Sequence, residues 1–357
     1  MDTDALDKLK NFITIFSSIV YEAMPFIILG AVIAGVLEVM VPQRLVAKLI
    51  PRSRLLAILI GGLLGLLFPM CECGIIPVMR RLLRKGVPLS TCTAYLLAGP
   101  IINVVVMLST AVAFSGIPET NKLPSGEIVY QMGSGWMTAL RLSLGYLVAV
   151  GTSIIVEWQY RKHGNSLLMP LARPPQKPEL ANREEEVEAR QPWSKRLNSI
   201  AETALHDFVD IMVFLILGAL LAASVRLIMT ADEIAQASAG QPILAILIMM
   251  GLAVALCLCS EADAFVAASF STLRPAAKLA FLTLGPMLDF KLYAMYTRVF
   301  RPRLIYTIFL SVIIQVMAYS YVTHVLWETY APQFMSAPAP KPKSEPSAAL
   351  PRAPVAP

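Results

Sequence analysis

Residues 69–74 read Pro-Met-Cys-Glu-Cys-Gly, residues 257–263 read Cys-Leu-Cys-Ser-Glu-Ala-Asp, and apolar sequence flanks each stretch on both sides. Backbone that leaves the helix inside a bilayer strands polar groups, so such breaks survive only where protein or a water-filled cavity surrounds them. The two stretches therefore read as paired breaks near the midplane of a membrane protein. Composition points the same way. Of 357 residues, 56% are hydrophobic and 15% charged, and the mean hydropathy is +0.64, which excludes a soluble chain and, over most of the length, disorder. Five cysteines in so long a chain are too few for a disulfide-stapled secreted scaffold. The net charge of +6 lies between apolar runs rather than along one stripe, so it is a topology signal and nucleic acid is not expected as a partner. The first apolar run follows Asp2, Asp4 and Asp7 and is longer than a signal-peptide core, so it is expected to remain as a membrane helix.

Outward from the breaks, apolar runs cover 12–40, 55–70, 88–114, 133–158, 200–230, 242–258, 276–298 and 304–327, against the roughly 20 apolar residues a crossing needs. Segments 73–85 and 262–274 follow the breaks and are too short to cross alone, so they read as half-helices or the return arms of hairpins. The fold class is an all-α polytopic membrane protein of two homologous halves. Residues 1–160 form the first, 161–197 a charged linker with Glu184, Glu185, Glu186 and Glu188, 198–328 the second, and 329–357 a Pro/Ala-rich tail expected to be disordered.

The duplication is visible in matched words. Phe26-Ile-Ile-Leu-Gly-Ala31 returns as Phe214-Leu-Ile-Leu-Gly-Ala219, and Ala57-Ile-Leu-Ile60 as Ala245-Ile-Leu-Ile248. Cys71-x-Cys73 returns as Cys257-x-Cys259, each followed at one shared spacing by Gly-Pro (Gly99-Pro100, Gly285-Pro286) and, three residues past the proline, by Asn103 or Asp289. Duplicated halves are how many secondary transporters are built.

Basic loops orient the chain. Arg44, Lys48, Arg52 and Arg54 precede the 55–70 run, and Arg80, Arg81, Arg84 and Lys85 follow the first Cys pair, so both clusters belong in the cytoplasm and 55–85 enters and turns back. Residues 115–132 then lie outside, as does 231–241 with Asp232 and Glu233, while Arg298, Arg301 and Arg303 return to the cytoplasm. Each half has three crossings and one re-entrant hairpin, and an odd number of crossings makes the repeats inverted. The alternative, one broken helix over 55–80, gives eight spans and parallel repeats but places 44–54 outside.

The expected solute site is the pair of breaks, Cys71, Glu72, Cys73 and Cys257, Cys259, Ser260, Glu261, Asp263, with a second polar patch at Pro100, Asn103, Pro286 and Asp289. A proline inside a helix frees carbonyls a turn earlier, and a helix arm that begins at a break points its amides into the cavity. Two thiol pairs suit a thiophilic species, although cysteine is equally an ordinary buried hydrophobe, as unmatched Cys92 is read. Glu22 and Asp210 stand four residues before the matched Phe words and are the candidate proton-carrying pair, with a helix-end carboxylate in water as the plain alternative. An Asp near a Lys, as at Asp289 and Lys291, can simply neutralise each other. His163, His206 and His324 are scattered, and Gly61-Gly-Leu-Leu-Gly65 lacks the lysine of a phosphate loop and serves helix packing, so no resident metal or cofactor is expected and the chain is not read as an enzyme.

Pro69-Met-Cys-Glu-Cys-Gly-Ile-Ile-Pro77, the Arg-Lys-Gly-Val-Pro88 turn, Gly99-Pro-Ile-Ile-Asn103, Cys259-Ser-Glu-Ala-Asp263 and Gly285-Pro-Met-Leu-Asp-Phe-Lys291 resemble the bacterial YraQ/ArsP-type predicted permeases over about residues 12–327. The resemblance implies a multi-pass permease of the bacterial inner membrane, usually described with eight spans, some of whose members are similar to exporters of trivalent organoarsenicals. It implies that Cys71, Cys73, Pro100, Asn103, Cys259, Glu261, Asp263 and Asp289 line the pathway. The family often has a further proline where this chain has Val104. The expected function is thus a secondary transporter exporting a small thiophilic solute, a trivalent organoarsenical or soft metal species, by proton antiport. Its partners are the lipid bilayer, the solute and protons, with a homo-oligomer left open. A membrane-embedded thiol oxidoreductase using the two Cys pairs is the alternative, without the usual Cys-x-x-Cys spacing.

Overall fold

The computed structural model describes residues 3–40, 51, 53–67, 70–116, 120–122, 128–172, 192–228, 241–270 and 273–335. Pro69, Arg44, Lys48, Arg52, the acidic run 184–188 and residues 229–240 and 336–357 lie outside the described residues. In chain order the helices are α1 (Thr3–Met40), α2 (Arg54–Leu67), α3 (Glu72–Arg84), α4 (Leu89–Ala98), α5 (Val104–Ala113), α6 (Ser134–His163), α7 (Trp193–Ile228), α8 (Pro242–Leu256), α9 (Ser260–Ser269), α10 (Pro275–Leu284), α11 (Phe290–Tyr296) and α12 (Pro302–Met335). Between α5 and α6 lies a two-stranded hairpin, β1 (Thr120–Lys122) against β2 (Ile128–Tyr130), the one departure from an all-helical fold among the described residues.

Four helices, α1, α6, α7 and α12, are long and apolar enough to cross a membrane, and they make this a multi-pass membrane protein. The other helices are short because the sequence interrupts them. Gly99-Pro100 ends α4, and Asn103 opens α5 by accepting a hydrogen bond from the Val105 N–H, 2.9 Å away. The second half repeats the device, with Asp289 accepting from the Leu292 N–H at 2.6 Å to open α11. Asn and Asp are strong helix caps for this reason. Helices α3 and α9 open at Cys71 and Cys259, both extended, and neither thiol caps the helix it precedes. Pro242 and Pro275 stand at the first turns of α8 and α10, where a missing N–H costs nothing.

Contacts along α6 give the course of the first half. Ser90 bonds to Glu157, Gly145 lies against Ile101, and Arg141 bonds to Thr110, so α4 and α5 advance in one direction antiparallel to α6. Helix α2 also starts beside Glu157, through Arg54, and Tyr146 reaches the Leu59 carbonyl at 3.0 Å. The Arg84 and Lys85 end of α3 returns to Glu38 at the end of α1 and turns directly into α4. Helices α2 and α3 thus form a hairpin that goes back to the end it left, the basic end of the molecule. In the second half, Arg274 pairs with Glu328, while Tyr293 and Tyr296 stack near Phe309, so α10 and α11 advance antiparallel to α12.

The matched long helices also run antiparallel. Gly35 of α1 meets Ile200 of α7, and Ile19 packs with Ala219. Thr152 of α6 meets Ser311 of α12 at 3.1 Å, and the Arg301 N–H reaches Leu167 at 2.9 Å.

Helix α6 runs to His163, α7 opens at Trp193 and α12 runs to Met335, across the 160, 198 and 328 limits set from composition. The first part of the linker is docked: Leu167, Leu168 and Ala172 are buried, and the Met169 N–H bonds to the Val299 carbonyl at 3.0 Å. Apolar Leu167-Leu168-Met169 behaves as core even though the linker as a whole is charged.

Candidate functional site

Close backbone approaches bring the breaks together. A methyl on Gly30 would sit 2.5 Å from the Gly74 carbonyl oxygen, and one on Gly218 would sit 2.7 Å from Lys291 Cα, so these matched glycines let α1 and α7 press against the first turns of α3 and α11. Small residues do this inside membranes. Gly61 and Gly65 serve the same purpose between α2 and α4, against Thr91 and Gly99, as the sequence reading expected.

At the meeting point Glu72 of α3 and Lys291 of α11 form an ion pair, Nζ to Oε1 2.8 Å, each no more than 1% exposed. It joins the two halves. The Ser260 hydroxyl of α9 donates to the other Glu72 oxygen at 3.4 Å, and Lys291 stands 3.7 Å from Asp289 Oδ2. Arg141 of α6, 1% exposed, donates to the Ser260 carbonyl at 2.8 Å and to the Thr110 hydroxyl at 2.7 Å, and lies within electrostatic range of Asp263 and Glu261. Cys71, Cys73 and Cys259 are within mutual electrostatic range, and Cys257 faces the backbone N–H groups of Phe290 and Lys291. All five cysteines are free and buried.

This core is closed to solvent. Glu72, Asp263 and Asp289 are buried carboxyls against two buried cations, Arg141 and Lys291, and Oδ2 of both Asp263 and Asp289 lacks a hydrogen-bond partner. Five ionisable groups gathered in a membrane interior are expensive, which makes this cluster the candidate site. Among the described residues no cluster of three or more His, Cys, Asp and Glu side chains has the geometry to hold a metal ion.

Most residues singled out in sequence converge here: Cys71, Glu72, Cys73, Cys257, Cys259, Ser260, Asp263 and Asp289 are all buried, and half-buried Glu261 opens the first turn of α9 beside them. Asn103, Pro100 and Pro286 are buried at the two Gly-Pro breaks. Asn103 Oδ1 is engaged as a helix cap. The matched acids part company. Glu22 lies within electrostatic range of Cys259 and Glu261, whereas Asp210 stands between Arg80 at 3.6 Å and Arg298 at 3.8 Å. Two residues were missed as site members. Lys291 was read as a neutraliser of Asp289 and instead grips Glu72 across the halves, and Arg141 drew no attention although it is an arginine inside the 133–158 run.

A second charge cluster closes the basic end. Buried Asp207 of α7 accepts from Arg80 and, through both oxygens, from Arg81 at 2.9–3.2 Å. Arg81 and Arg84 also lie 3.5 and 3.6 Å from Glu38. A narrow cleft, with room for about one water molecule, opens among Pro77, Arg80, Asp210, Met295 and Arg298.

Two known proteins resemble this chain in sequence. A Bacillus subtilis protein named UPF0718 protein YcgR is 34% identical over 309 residues, 85% of this chain and 94% of its own length. A Streptococcus mutans protein named putative two-component membrane permease complex subunit is 34% identical over 295 residues, 82% of this chain and 88% of its own. No solved structure matches. The predicted permease family ArsP_1 matches residues 8–325, and with two such relatives beside it and a charged, thiol-bearing centre between its halves, the chain belongs to that family of membrane permeases.

Proposed function

We propose that this permease exports a small thiophilic solute, a trivalent organoarsenical first among candidates, across the bacterial inner membrane in exchange for protons. The observation that carries the reading is that thiols and carboxyls from both halves gather around one inter-half ion pair, Glu72 with Lys291. Thiols favour soft acceptors, and an excess of buried carboxyls over buried cations favours proton binding.

The antiparallel course of α1 and α7, and of α6 and α12, supports inverted repeats, and the returning hairpin α2–α3 supports a re-entrant segment with the basic end in the cytoplasm. In this reading the halves rock about the breaks. Helices α1 and α7 pack on α3 and α11 from the breaks, at Gly30 and Gly218, to the basic end, at Glu38 and Asp210, and the Arg80, Arg81, Asp207 cluster holds that end shut. Glu22 sits where a proton could pass toward Glu261. Asp210, between two arginines, belongs to the closure. The Streptococcus mutans relative is named as one subunit of a two-component complex, which favours a second protein beside this chain.

The test is accumulation. Cells lacking the chain should hold more trivalent methylarsenical than cells expressing it, and Cys73→Ser or Cys259→Ser should return accumulation to the level of the deletion. Equal accumulation with and without the intact chain overturns the substrate assignment.

A further inference from the structure

We propose that the Glu72–Lys291 pair is the coupling device of the transporter: separation of the halves takes Lys291 from Glu72, and the stranded carboxyl binds the coupling proton. This rests on the antiport reading above and names the residue that carries its proton. The geometry has three parts. The pair is completely buried, at 2.8 Å, and its members come from different halves, Glu72 on α3 and Lys291 on α11. Lys291 keeps a second anionic neighbour on its own half, since Asp289 Oδ2, 3.7 Å away, has no hydrogen-bond partner while Oδ1 is committed to the Leu292 N–H. Among the described residues the other hydrogen bond of Glu72 is to the neutral Ser260 hydroxyl of α9, and the nearby cation Arg141 is already engaged by the Ser260 carbonyl and the Thr110 hydroxyl.

Relative movement of the halves therefore treats the partners unequally. Lys291 moves with Asp289 and stays compensated. Glu72 would be left as a lone carboxylate in a low-dielectric interior, where the neutral acid is the favoured form. Taking a proton from the medium removes the charge, and the reverse movement returns Lys291 and expels the proton. The charged and titratable groups around the pair are Asp289, Asp263, Glu261 and Glu22 as acids, Arg141 as the other cation, Cys71, Cys73, Cys257 and Cys259 as thiols, and the buried phenol of Tyr296. Because Cys71 and Cys73 flank Glu72 in the chain, a solute held by those thiols lies against the carboxyl that must change charge. Solute and proton would then compete for one place, as antiport requires.

Two measurements test the device. Infrared spectroscopy of the purified protein at neutral pH reads the protonated-carboxyl band directly, without any solute. Lys291→Met should add one protonated carboxyl relative to the double variant Glu72→Gln/Lys291→Met, and Lys291→Arg should resemble the unaltered protein. No difference between the single and double variants overturns the proposal. The double variant removes both charges together, so it should fold where the single variant strains. In vesicles, Lys291→Arg should keep the response of solute flux to a pH gradient and the double variant should lose it; gradient-driven flux through the double variant also overturns the proposal. If the infrared result is as expected and no organoarsenical moves through the unaltered protein, the solute assignment falls and the coupling pair stands.

Discussion

Cys257 is the one described non-glycine residue with positive φ, at φ 48° and ψ 44°, and it terminates α8 in the left-handed conformation that helix ends usually give to glycine. A side chain there costs about 1 kcal/mol. Its thiol donates to the Val254 carbonyl at 3.3 Å and faces the α11 amides, so cysteine at a position suited to glycine accords with the role proposed for the sulfur. Cys257→Gly should therefore leave thermal stability in detergent unchanged or raised by about 1 kcal/mol, and should lower solute flux; a large drop in melting temperature would assign the thiol to packing. The central ion pair makes the opposite kind of prediction. Removing one member of a buried pair strands the other, at a cost of about 3–5 kcal/mol. Lys291→Met should lower the melting temperature markedly, and Glu72→Gln/Lys291→Met should recover most of the loss.

Among the elements, the short helices beside the breaks depend on their caps. Asn103→Ala should destabilise α5 by about 1 kcal/mol, and Asp289→Asn should preserve the α11 cap that Asp289→Ala removes; hydrogen exchange at the Val105 and Leu292 amides reads both effects. These breaks were legible in sequence, because Gly-Pro followed by Asn or Asp cannot continue an apolar helix. The returning hairpin was legible too, because arginines bracket 55–85 on both sides. The surroundings of the matched acids were not. Glu22 and Asp210 occupy equivalent places in α1 and α7, yet those helices run antiparallel, so equivalence along the chain sends one acid toward Cys259 and the other toward Arg80 and Arg298. Lys291 and Arg141 escaped for a related reason: each acts on a partner more than a hundred residues away, and periodicity does not say which helix faces which. Docking of Leu167 and Leu168 was hidden by the charge of the linker that follows them.

For the whole molecule, the proposed inverted-repeat reading requires two related states, and in it the charge cluster at the basic end belongs to only one of them. Asp207 is buried under Arg80 and Arg81, so its pairs are little screened and should persist at high salt. Asp207→Ala should release the closure and raise the reactivity of a cysteine introduced at Ile76, beside the cleft, toward thiol reagents added from the cytoplasmic side. The exchanged pair Arg81→Asp/Asp207→Arg should bring that reactivity part of the way back, whereas equal labelling in all three proteins would show that the cluster does not gate access. The central claim is that breaks from both halves build a single solute site, and uptake into inverted vesicles tests it most directly. With an imposed pH gradient, the unaltered protein should accumulate a trivalent organoarsenical and no hard oxyanion, and Cys73→Ala in one half and Cys259→Ala in the other should each cut the rate at least tenfold. Undiminished uptake by either variant would contradict the account.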